Sequence, residues 1–313
     1  MLLALSACAT LPPARPQAAY WGLLPAESEL YLYADLRSTR ALVQSLAARL
    51  SLGDPRRLEP VLRRSEALYA GLRFTAGRPP AGGAALVGRF SPEAVGFRLD
   101  CSCDWRRGQG QPPSWRHRRL LLEVAAPESG LLLLATGPGV ETRELLDRWR
   151  APRPNPLAEP EDPGGADLLR GLKAGSLLYA YLPRLPASAS FPSGVPLSGL
   201  WITVRREAER YELAALASIE LAEPPSPRWV LSAVRLAAAA WLRRAGVADP
   251  AGRLGPLRVE SSGRVYAVTG LILQEEELLQ VLGFPPRAAR REAGGSGGGL
   301  GREAQSPSWN SGG

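Results

Sequence analysis

The chain has 313 residues, is 45% hydrophobic and carries a net charge of +8, so it is long enough for two domains or one duplicated domain and can bury a sizeable core. Its positive charge is almost entirely arginine, with Lys173 the single lysine, in the Ala-, Gly- and Pro-rich setting that GC-rich coding produces, so the basic balance does not argue for a nucleic-acid partner. One histidine, His117, and three cysteines narrow the metal and catalytic chemistry open to the chain, and neither a metal nor a cofactor is expected.

The N-terminal segment Leu5-Ser6-Ala7-Cys8 resembles a bacterial lipobox. Small residues stand before the cysteine, where a signal peptidase closes on the backbone, and Leu5 fills the apolar subsite. This reading makes residues 1–7 a signal-peptide remnant, Cys8 the lipidated residue and 8–19 a Pro-rich extended tether. The apolar stretch is shorter than the roughly 7–15 residues of a signal peptide and has no charged n-region, which fits a start codon further upstream. Ala9 is not the aspartate that marks inner-membrane retention in enteric bacteria, so the outer membrane is favoured over the inner. The Trp229 to Leu242 segment carries Arg235 and is too short to span a bilayer, which takes roughly 20 apolar residues.

The body begins at about residue 20. A strand is predicted at Glu29 to Leu36, then helices at Ser38 to Leu50 and Arg56 to Ser65, and strands at Ala67 to Phe74 and Gly83 to Phe90. Ser91-Pro92 opens a helix to Leu99, with serine as N-cap and proline in the first turn. Strands at Arg119 to Ala125 and Leu131 to Thr136 and a helix from Val140 to Trp149 close this half. Residues 151–165, rich in Pro and acidic residues, read as a linker.

A second run from 166 to 287 repeats the order. Strands are predicted at Ser176 to Leu182, Leu197 to Val204 and Tyr211 to Ser218. Ser226-Pro227 opens a helix to Arg244. Strands at Leu257 to Glu260 and Val265 to Thr269 and a helix from Leu273 to Leu282 follow. The Tyr-x-Tyr of Tyr31/Tyr33 recurs at Tyr179/Tyr181, and the Thr-Gly step of Thr136-Gly137 at Thr269-Gly270. The expected fold is α+β: two similar halves (20–150 and 166–287), each a mostly antiparallel sheet with helices on one face. The Gly/Ser-rich tail, 288–313, is expected to be disordered.

The segment from Trp105, Arg106 and Arg107 to Trp115, Arg116, Arg118 and Arg119 interleaves tryptophan with arginine. Guanidinium forks and indole faces together suit an anionic glycan, a lipid headgroup or an acidic envelope protein. Cys101 and Cys103 are spaced for a strained local disulfide or two thiols. His117 has no carboxylate beside it in sequence. Gly294-Gly295-Ser296-Gly297-Gly298 fits a nucleophile-elbow spacing but lacks the flanking strand and helix. Thr136-Gly137-Pro138-Gly139 lacks the third glycine of a dinucleotide turn.

The lipobox, tether and duplicated α+β body together resemble uncharacterised lipoproteins of spirochaete-like bacteria. The resemblance implies a lipid-anchored envelope protein that binds or scaffolds rather than catalyses, and brings no catalytic residues with it. The competing expectation is an envelope hydrolase whose carboxylates, first among them Asp35, Asp100 and Asp104, are assembled by the fold.

Overall fold

A computed structural model describes residues 17–50, 55–75, 80–184, 197–221 and 223–282. Cys8, most of the tether, the Gly/Ser-rich tail and the 294–298 motif lie outside them. In chain order the elements are α1 (Gln17–Trp21), β1 (Leu30–Asp35), α2 (Arg40–Leu50), α3 (Pro55–Arg64), β2 (Ser65–Arg73), β3 (Ala81–Gly88), α4 (Pro92–Asp100), β4 (Trp105–Arg107), β5 (Ser114–His117), β6 (Leu122–Glu128), β7 (Leu131–Thr136) and α5 (Thr142–Arg150). Then come α6 (Pro163–Lys173), β8 (Leu178–Arg184), β9 (Leu197–Glu207), β10 (Arg210–Ile219), α7 (Pro227–Ala245), α8 (Pro250–Leu254), β11 (Arg258–Ser262), β12 (Val265–Leu273) and α9 (Glu275–Val281).

The two Ser-Pro starts behave as their chemistry requires. The Ser91 hydroxyl accepts from the Ala94 N–H and that of Ser226 from the Trp229 N–H, each at 3.3 Å. Each thereby satisfies one N–H that the first helical turn leaves without a partner. Gly246 ends α7 in the left-handed region at φ 83°, where glycine carries no Cβ penalty.

The described strands form one 12-stranded sheet in the order β11-β12-β10-β9-β8-β1-β2-β3-β7-β6-β5-β4, with antiparallel pairing throughout, as at β1–β8 and β3–β7. The two predicted runs of strands are thus joined edge to edge through β1 and β8 as one sheet.

Helices cover both faces, which corrects the expectation of helices on one face. On one face α1, α5 and α6 bury Trp21, Leu145 and Leu169 against Tyr31, Leu133 and Trp201. On the other, α7, α8 and α9 bury Leu242, Leu254 and Leu278 against Val204 and Leu271, and Val95 of α4 packs near Leu86 and Leu132. The cause is in the strands. Leu131 and Leu133 face one way and Leu132 and Leu134 the other, so neither side of the sheet can be left to water. The closing helices α5 and α9 lie on opposite faces.

Helix α6 lies at the end of the stretch read as linker. Asp162 caps it, accepting from the Gly165 N–H at 2.7 Å, with Pro163 in the first turn. The paired tyrosines sit where β1 meets β8. Tyr31 is opposite Tyr181 and Tyr33 opposite Tyr179, and stacking continues from Tyr33 to Tyr179 at 4.7 Å and from Tyr181 to Trp201 at 4.5 Å. Tyr31, Tyr179 and Tyr181 are buried, so they pack the core and line no groove. Burial holds the Tyr69 and Tyr179 hydroxyls far above their ordinary value of 10.0, which removes them as phenolate nucleophiles.

Candidate functional site

The arginine-tryptophan segment is the β4–β5 hairpin at one edge of the sheet. Trp115 is 1% exposed and its indole N–H donates to Asp100 Oδ1 at 2.7 Å. It anchors the hairpin onto α4 and has no face left for a ligand. Trp105 stands edge-on to His117 at 5.0 Å. His117 Nδ1 accepts from the Arg119 and Leu120 N–H groups at 3.2 and 3.0 Å, so it organises the turn leaving β5. Arg106, Arg107 and Arg116 line a cleft between the hairpin and α5. Arg118 and Arg119 are exposed beyond it.

The three suspected carboxylates are not brought to one place. Asp35, at the end of β1, accepts from the Arg37 N–H and the Ser38 hydroxyl and orders the turn into α2. Asp100 serves Trp115 and Arg107. Asp104 lies beside the hairpin, where its backbone oxygen receives the Arg118 N–H at 2.8 Å. Five strands stand between β1 and β4. Cys101 and Cys103 are both exposed free thiols, and no metal-holding cluster of His, Cys, Asp or Glu exists among the described residues.

A second, almost wholly apolar concavity lies on the sheet's other half, beneath α7. Of its 19 residues only Val230 and Leu242 are buried, while Val234, Ala238 and Ala239 are half-buried against the core. Under it is a cavity of about 200 Å³ lined by Leu200, Ile202, Leu213, Ala217, Val234 and Ala238, among other apolar side chains of β9, β10, β12 and α7. The Tyr266 hydroxyl, the one hydroxyl among the lining residues, donates to the Pro225 carbonyl at 2.6 Å. The wall therefore offers almost nothing for water to bond, which favours an apolar occupant.

Trp229 and Trp241 of α7 line the cavity yet stay 45% and 39% exposed, Leu236 is 65% exposed, and Arg228, Arg235, Arg243 and Arg244 are exposed around them. Sequence inspection registers this helix only as too short to span a bilayer. The missed signal is its composition: tryptophans near both ends, alanines between and four arginines on one 19-residue helix. No described helix is long and apolar enough to cross a membrane.

Searches of protein-family models and of curated proteins find no match. Among solved structures the chain is similar to TP0453 of Treponema pallidum, a spirochaete lipoprotein. Crystal form III matches with a TM-score of 0.59 at 13% identity, covering 86% of this chain and 98% of that one. Crystal form IV gives 0.58 at 13% identity, with 84% and 95% covered. Crystal form I gives 0.57 at 12%, with 88% and 99% covered. At this identity the likeness is one of fold, and it extends over nearly the full length of the neighbour.

Proposed function

We propose that the protein is a non-enzymatic, lipid-anchored protein of a bacterial envelope that holds the acyl chain of a lipid between α7 and the sheet. The observation that carries this reading is the apolar cavity under a helix that exposes Trp229, Leu236 and Trp241 and carries arginine. A chain entering the cavity exchanges water for apolar wall at roughly 25 cal/mol per Å², and the arginines of α7 meet an anionic headgroup at its mouth.

Lipidation at Cys8 and placement in the outer rather than the inner membrane rest on the lipobox and Ala9. The fold shared with a spirochaete lipoprotein supports the envelope address. Origin by duplication is supported by the strand order, which runs β1-β2-β3-β7-β6 outward on one side of the centre and β8-β9-β10-β12-β11 on the other. It is supported too by the two-fold register that sets Tyr31 on Tyr181 and Tyr33 on Tyr179. No observation favours the hydrolase reading with Asp35, Asp100 and Asp104.

The test is titration with a fluorescent fatty acid against wild type and Ala238→Phe, which fills the cavity. The expected result is saturable binding that weakens at least about tenfold in the variant while its melting temperature stays within a few degrees. Equal binding by both proteins contradicts the reading.

A further inference from the structure

The cleft between the β4–β5 hairpin and α5 has chemistry opposite to that under α7. Its volume is about 590 Å³, and five arginines (Arg106, Arg107, Arg116, Arg143 and Arg150) face two glutamates, Glu123 and Glu141. Three of the arginines are engaged. Arg116 pairs with Glu123, Arg150 binds Asp147 and the Gln111 carbonyl, and Arg107 reaches Asp100 at 3.4 Å. Arg106 and Arg143 are exposed, and neither side chain has an ion-pair or hydrogen-bond partner among the described residues. They come from different elements, β4 and α5, yet line the same space.

The start of α5 is not itself the anion site. Glu123, reaching over from β6, accepts from the Thr142 N–H at 3.0 Å and the Thr142 hydroxyl at 3.1 Å, so a resident carboxylate already meets the positive end of the helix. An incoming anion must be met by the free guanidinium groups instead. A carboxylate has two oxygens in one plane and is satisfied by a single fork. Two forks from separate elements suit a tetrahedral anion with three terminal oxygens. Beside Pro112 and Leu146, the lining adds the neutral polar side chains of Gln109, Gln111 and Ser114. With Glu141, these groups suit ligand hydroxyls.

We infer that this cleft binds a phosphorylated sugar or polyol, its phosphate bridging Arg106 and Arg143 and its hydroxyls meeting the amide and carboxylate groups of the lining. The site is separate from the one under α7. Strands β5 and β9 are seven strand spacings apart in the sheet, roughly 30 Å, so the inference stands whether or not the α7 cavity holds a lipid.

Calorimetric titration with glucose 6-phosphate, and flotation with phosphatidylinositol vesicles, tests it on the full chain. Each is repeated on Arg106→Ala/Arg143→Ala, on Arg143→Glu, and on Arg210→Ala, an exposed residue of β10 that lines neither concavity, as a control. The expected result is binding of glucose 6-phosphate, at least about tenfold weaker in both cleft variants and unchanged in the control. Glucuronate, the carboxylate counterpart, should bind at least about tenfold more weakly than the phosphate. If only the vesicles bind, and the cleft variants lose that binding while Arg210→Ala keeps it, the phosphate belongs to a lipid headgroup and the site is supported. Binding of neither probe, equal binding by the cleft variants, or tighter binding of glucuronate overturns the proposal. The substituted side chains are exposed and unpaired, so the variants should fold as wild type does.

Discussion

Glu123 joins two parts of the molecule with one carboxylate. Burial resists its ionisation, but the Thr142 N–H, the Arg116 guanidinium and the Thr142 hydroxyl outweigh that and hold it below its ordinary value of 4.5. A carboxyl depressed by folding stabilises the fold above its unfolded value, and the contribution fades as the pH falls through the folded one. Glu123→Gln should therefore cost about 1 kcal/mol at neutral pH, and the gap to wild type should close below pH 4.5; chemical denaturation at several pH values measures it. Lys173 is the reverse case. Burial pulls its ammonium below the ordinary 10.5, with Glu159 partly offsetting the effect, while the charge lies 4.1 Å from the Trp201 ring centroid. Between the lowered value and 10.5 the unfolded chain holds a proton that the native one lacks, so wild-type stability rises with pH there. Lys173→Met keeps the apolar stem and removes the desolvated charge. It should be as stable as wild type or more so at neutral pH, with any advantage shrinking towards pH 10.5.

At the scale of elements, α7 is capped at both ends but lightly seated, with only Val230 and Leu242 buried. Helices with few buried contacts open at low cost. Its amides should exchange hydrogen faster than those of β9 and β10, and a bound acyl chain should slow α7 more than any other helix; mass-resolved exchange with and without fatty acid reads both. This helix also shows where sequence reading stops. Its start was legible because Ser226-Pro227 is a local signal, and the strands were legible from runs such as Leu131 to Thr136. The gap beneath it was not, since that depends on how far Ala233 and Ala238 hold the helix from strands far away in sequence. Helix α6 was hidden by Gly164-Gly165, which reads as a turn although Asp162-Pro163 just before it is a helix start. The hairpin arginines were visible as a group. That Trp115 would be spent on Asp100, and that Arg143 of α5 would join Arg106 across a cleft, were long-range facts with no local trace.

Across the whole molecule, the two runs of strands share one core. Tyr33 of one run stacks on Tyr179 of the other and packs against Tyr69, and Trp21 of α1 touches Tyr69 and Tyr179. Neither run can bury these rings alone, so the protein should unfold in one cooperative step. Melts followed by tryptophan fluorescence and by far-ultraviolet circular dichroism should coincide, whereas two separated transitions would mean that the halves are independent. The Arg106–Arg143 cleft and the α7 cavity lie in opposite halves of this sheet, so one sheet presents an apolar and a cationic concavity at the same time.

The central claim is that the cavity under α7 holds a lipid chain. Native mass spectrometry of the protein isolated from its own envelope in mild detergent, compared with a denaturing spectrum of the same sample, tests it most directly. The account predicts a lipid mass present in the native spectrum, absent after denaturation and absent from Ala238→Phe, together with a covalent acyl mass on Cys8 that survives denaturation. A native spectrum with no non-covalent lipid, or the same lipid retained by Ala238→Phe, would contradict it.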